Sequence, residues 1–191
     1  MHKNRVEAFS DAVIAIVITI MVLEIRKPDS TNFSSLLPLT HIAFCYVLSF
    51  IYLAIYWNNH HHLFQAVKEV NGSVLWANIL LLFWLTLVPF VTGWAGDTYF
   101  ASVPTACYGF ILFMAACSYF ILTKALIAEE GKASFLAEAL GSDNKTKLSI
   151  AAYVLGILLA FWLPKLSFAI YMFVAVMWFI PDSRIEKKLR S

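Results

Sequence analysis

The sequence predicts an all-α membrane protein: one domain over residues 1–191, six transmembrane helices and no re-entrant pore loop. Three observations carry this. The 191 residues are 61% hydrophobic and 14% charged, with a mean hydropathy of +0.75, against about 45–50% and roughly 25% in a soluble domain. The apolar residues come in long runs broken by short polar segments, the pattern of a chain whose solvent is lipid. Lys and Arg divide unequally between alternate loops.

The first span is expected at about 5–25. Its start imitates a secretory signal, with His2, Lys3 and Arg5 before an apolar run. The imitation fails where Phe9-Ser10-Asp11 puts a carboxylate inside the run. It fails again where Leu23-Glu24-Ile25-Arg26 closes the run with charges instead of a small-residue cleavage site. This segment is therefore read as a mature helix. Lys27 to Asn32 forms a loop. The second span runs over about 37–62, through Tyr56-Trp57-Asn58-Asn59, and Lys68 to Ser73 is polar. The third, about 74–94, ends at Gly93, Gly96 and Asp97. The fourth covers about 103–127. The longest polar stretch, Ala128 to Lys147, has room for an amphipathic surface helix. The last two spans, about 148–163 and 166–180, meet at Pro164-Lys165. They are short for a hydrocarbon core that takes about 20 residues to cross. Pro38, Pro89, Pro104, Pro164 and Pro181 are read as lying at or near span ends.

Six spans put both termini on one side. That side carries Lys3, Arg5, Lys68, Lys124, Lys132, Lys145, Lys147, Arg184, Lys187, Lys188 and Arg190, 11 of the 14 basic residues; Arg26, Lys27 and Lys165 lie on the other. The positive-inside rule then places both termini in the cytoplasm of a multi-pass protein of the cell membrane. The net charge of +2 implies no strong field for nucleic acid. Cys45, Cys107 and Cys117 sit in apolar runs without metal-ligand spacing and read as small buried hydrophobes. No nucleophile motif and no carboxylate–histidine cluster points to an enzyme, and the six-helix unit has no internal repeat.

On a helical wheel of the first span, Arg5, Phe9, Ala12, Ile16, Thr19, Ile20 and Leu23 fall within about 100° of one another. Glu7 and Asp11 share a different face. On spacing alone the stripe reads as ordinary helix packing, since apolar residues at i, i+4 and i+7 line most helix interfaces. A carboxylate one turn into an apolar segment must find partners or water, for stability or for function. His60, His61 and His62 point about 100° apart on a helix and cannot converge on one metal ion. Helical spacing instead groups Trp57, Asn58 and His61, within reach of Arg5, Ser10 or Asp11.

Arg5-Val6-Glu7-Ala8-Phe9-Ser10-Asp11 resembles the Arg-x-x-x-Phe-Ser-Asp signature of the transmembrane protein 175 family, the lysosomal and prokaryotic potassium channels. The run from Ala12 to Ile25 and the segment Tyr56-Trp57-Asn58-Asn59-His60-His61 extend the resemblance. One six-helix unit is similar to the prokaryotic form, which implies a homotetramer in the lipid bilayer. The resemblance implies passive K+ conduction, with no cofactor, through a pore lined by first helices. Ile16 is then the tightest ring, Ile20 and Leu23 lie outward of it, and Thr19 offers hydroxyls to a partly dehydrated ion. Arg5, Phe9, Ser10, Asp11, Trp57, Asn58 and His61 form the network that holds the pore helix. Familiar potassium channels instead select with carbonyls of a Thr-Val-Gly-Tyr-Gly loop. Thr92-Gly93-Trp94-Ala95-Gly96 echoes that loop only superficially and reads as a helix end. A secondary transporter and a non-conducting membrane scaffold are the rival readings.

Overall fold

The computed structural model describes residues 3–67, 69–131, 136–137 and 144–179. Helices dominate because apolar segments in lipid must satisfy every backbone N–H and C=O internally. Helix α1 spans Lys3–Ile20 and tightens into a 3-10 turn at Met21–Glu24. A second 3-10 segment, Phe33–Leu39, feeds α2, Thr40–Gln65. Then come α3, Gly72–Thr86, α4, Val88–Asp97, and α5, Ser102–Glu130. Helices α6, Asn144–Leu159, and α7, Pro164–Phe179, close the described fold. Among the described residues, four helical stretches are long and apolar enough to cross a membrane: Lys3–Glu24, Phe33–Gln65, Gly72–Asp97 and Ser102–Glu130. This is a multi-pass membrane architecture. Helices α6 and α7 have 16 residues each, about 24 Å of helix. The expected surface helix between Ala128 and Lys147 falls largely outside the described residues, as do Lys68, Lys132, Ile180 and the charged tail with Arg184, Lys187, Lys188 and Arg190.

The third span differs from its expected form. It is two helices, broken at Leu87. Pro89 has no N–H to return to Leu85, so the ladder stops and restarts one residue later. Pro89 thus lies in the middle of a span and not near its end. Pro38 sits in the 3-10 segment at the start of its span, before α2.

Helix α3 packs on α5, α5 on α6, α2 on α4, and α6 on α7, while α1 lies against α3 and α2. Gly96 makes the α2–α4 contact close. A Cβ built there would stand 2.5 Å from the Ile42 Cα. Buried hydroxyls tie the layers. Thr92 donates to the Val88 carbonyl at 2.7 Å, so Ser49 must donate to Thr92 at 2.6 Å, and the Tyr108 hydroxyl donates to Ser49 at 2.8 Å. Tyr153 donates to Tyr52, which donates to the Tyr171 carbonyl, joining α6, α2 and α7. Beyond α4, Tyr99 and Phe100 hold left-handed φ values of 53° and 61°, a strain that bulky residues keep only under packing. The Phe100 ring supplies that packing against Phe168 at 4.7 Å and His41 at 5.3 Å.

Candidate functional site

Helix α1 has two unlike faces. Val6, Ser10, Ile14, Val17 and Met21 are buried against the bundle. Arg5, Phe9, Ala12, Ile16, Thr19, Ile20 and Leu23 all lie on the exposed arc. Leu23 is 77% exposed and Ile16 59%, against 1% for Ile14. Among the described residues the stripe is therefore left largely uncovered within the protomer. The Thr19 hydroxyl donates to the Ile16 carbonyl at 2.9 Å. That bond turns its proton inward and leaves the oxygen lone pairs, the part a cation uses, on the open side.

Three sets of contacts hold the N-terminal half of α1. Trp57 on α2 donates its indole N–H to Asp11 at 2.9 Å. Its ring stacks on His61 with centroids 6.2 Å apart. His61 Nδ1 lies 3.2 Å from Glu7, and its Nε2 meets Gln65 at 2.8 Å. At the helix start, Lys3 Nζ donates to the Phe64 and Gln65 carbonyls at 2.9 and 3.3 Å. A cation there satisfies the orphan carbonyls at the end of α2 and complements its dipole.

The third set is fully buried and joins three helices. Ser10 donates to the Val6 carbonyl at 2.8 Å, and Asn78 on α3 donates to Ser10 at 2.9 Å. The remaining Asn78 oxygen faces His60 Nε2 at 2.8 Å. That oxygen only accepts, so His60 carries its proton on Nε2. His60 Nδ1 is buried without a partner among the described residues.

Of the residues singled out in the sequence, the structure joins Trp57 to Asp11. It pairs His61 with Glu7, and it joins Ser10 to Asn78. Arg5 and Phe9 lie on the exposed face, and Asn58 is half-buried beside Trp57. His60 and Asn78 belong to the network although sequence reasoning passed over them. The signal was an Asn inside the most apolar run, Val74 to Trp94, where an unpartnered amide is costly. Helix α2 continues through Gln65, so the three histidines do diverge: one to Asn78, one to Glu7, and His62 to neither.

Asn78→Leu should lower stability by about 1–3 kcal/mol, because it strands the His60 N–H in an apolar site. Thermal unfolding of the purified protein in detergent measures this. The double variant His60→Phe, Asn78→Leu should recover most of the loss, since removing both partners leaves nothing unpaired.

Comparison with known proteins identifies the chain's relatives. The family described as endosomal/lysosomal potassium channel TMEM175 matches over residues 5–89. A potassium channel of Chryseobacterium sp. (strain P1-3) is 53% identical over 191 residues, covering 100% of both chains. The crystal structure of a lysosomal potassium-selective channel TMEM175 homolog from Chamaesiphon minutus superposes with a TM-score of 0.84 at 28% identity, covering 94% of this chain and 97% of that one. The endosomal/lysosomal proton channel TMEM175 of Danio rerio is 26% identical over 134 residues, 68% of this chain and 25% of its own length. With a relative 53% identical over the full length of both chains and the Arg5-to-Asp11 signature inside the matched segment, the chain belongs to the TMEM175 family.

Proposed function

We propose that this chain is the subunit of a potassium-selective channel, conducting passively through a pore lined by α1. One observation carries the reading: the stripe from Phe9 through Ile16 and Ile20 to Leu23 is exposed, while the opposite face of α1 is buried and hydrogen-bonded. The family is one of ion channels, not enzymes. A helix held so firmly on one side, with a regular apolar row on the other, is built to present that row to something outside the protomer.

Four subunits around an axis would bring four Ile16 side chains together as the neck, with Ile20 and Leu23 outward of it. Such a ring closes by dewetting and, when wide enough for water, makes an ion shed part of its hydration shell. Potassium sheds water more readily than sodium, so the neck prefers it without a carbonyl filter. Thr19 oxygens stand beside that neck. Asp11, Trp57, His61 and Ser10 hold each α1 in register, with Arg5, Phe9 and Asn58 at the same inner end. In this reading six helices cross the cell membrane as one unit, both termini are cytoplasmic, the assembly is a homotetramer, and K+ passes as cargo with no resident cofactor.

Purified protein in proteoliposomes should pass K+ faster than Na+. Equal flux of both ions would remove the selectivity. No flux from folded, assembled protein would leave the scaffold reading in front. The break at Leu87 gives the transporter reading one feature it needs, a discontinuous helix; flux that saturates and requires a coupled ion would favour it.

A further inference from the structure

The outer end of α1 carries a carboxylate that the pore network does not use. Glu24 closes the 3-10 turn that follows the exposed stripe, and it is itself exposed. Its side chain lies across the bare backbone of Gly93 on α4. A Cβ at 93 would overlap its Oε2 and crowd Cδ and Cβ at 3.2 and 3.3 Å. No basic group pairs with Glu24 among the described residues. Arg26, two positions on, turns instead to Asp97 at 3.1 Å. Lys27 and Asp29 follow on the loop with opposite charges.

Depth decides what Glu24 faces. Gly93 stands one turn before Asp97, the last residue of α4, so Glu24 sits about 6 Å below that helix end. Phe90 and Trp94 are exposed on the same stretch of α4. An unpaired carboxylate at that level does not face hydrocarbon; it faces protein or a water-filled cavity. Among the described residues its own protomer pairs it with no cation, and it directly follows Leu23, the last residue of the stripe, about 100° further round the helix. Rings of Asp or Glu at a pore mouth raise the local cation concentration.

We infer that Glu24 supplies the fixed negative charge of the outer vestibule, and that Gly93 is glycine because its bare backbone sets where that charge sits. This rests on the channel reading above. The ligand is a hydrated monovalent cation held by field, not by coordination. Arg26 is kept from cancelling the charge by its own partner, Asp97.

Single-channel recording of the assembled protein in planar bilayers tests this. In about 0.01 M KCl the screening length is roughly 30 Å, and in about 1 M it is roughly 3 Å. Glu24→Gln should lower inward K+ conductance about twofold or more in the dilute solution and leave it unchanged in the concentrated one. Glu24→Asp should keep the wild-type value. Gly93→Ala, which moves the carboxylate without removing it, should fall between them. Equal conductance of wild type and Glu24→Gln in dilute salt would overturn the inference. So would a loss of the same size at both concentrations, the mark of a structural role. Wild type alone gives a further check if the variants do not assemble: its conductance should stay above proportionality as KCl is diluted, and strict proportionality would overturn the inference. Wild type with no K+ current at all would remove the channel reading itself.

Discussion

Ile16→Asn should raise sodium permeability and total cation current together. The Ile16 side chain is 59% exposed on the stripe, so an amide there meets no packed neighbour within the protomer and the fold should tolerate it. The cost of crossing an apolar neck is the water an ion leaves behind. An amide offers an oxygen and an N–H in place of a methyl surface, so the neck stays wet and the difference in dehydration between the two ions shrinks. The permeability ratio should fall toward unity by about threefold or more, with larger current at every voltage. Reversal potentials under bi-ionic conditions measure it. Ile16→Val, which keeps an apolar ring, should change current more than selectivity. A wild-type ratio in Ile16→Asn would remove this residue from the filter and pass the role to Ile20 or Leu23.

Gly96→Ala has the largest expected effect on the fold. The new methyl would meet the Ile42 Cα at 2.5 Å and its Cβ at 2.7 Å. A backbone atom cannot turn aside as a side-chain tip does, so α2 and α4 must separate. Overpacking of this kind costs about 1–3 kcal/mol, occasionally more. Here it also pulls on Ser49 and Thr92, the hydrogen-bonded pair that joins the same two helices. The melting temperature in detergent should drop clearly. Trimming the opposing residue with Ile42→Ala should not restore it, because the obstructing Cα is still there. Full rescue by that second substitution would show that the contact is softer than the geometry makes it.

The sequence made the exposed stripe legible because a helix turns its residues by a fixed angle, and α1 is regular from Lys3 to Ile20. Partnership with Asp11 was foreseeable for a similar reason: a carboxylate in an apolar run has few acceptable surroundings, and Trp57 is one. Glu7 with His61 was harder, since it depends on where α2 crosses α1. Asn78 was harder still; only tertiary packing says that it meets both Ser10 and His60. The break at Leu87 could have been read from Pro89, which has apolar residues on both sides. The run of apolar residues continues unbroken through it, and only the missing N–H marks the break. The short α6 and α7 were anticipated from run length alone.

The open row on α1 also bears on how the protein comes together. Phe9, Ile16, Ile20 and Leu23 are as well solvated by acyl chains as by one another, so a newly inserted protomer exposes little there that the bilayer rejects. Water exclusion therefore gives subunits scant reason to meet. Association in lipid has to come from close helix contact and from the release of ordered chains, and it is governed by the number of copies per area of membrane. Dilution in bilayer should then separate intact subunits well before it unfolds them.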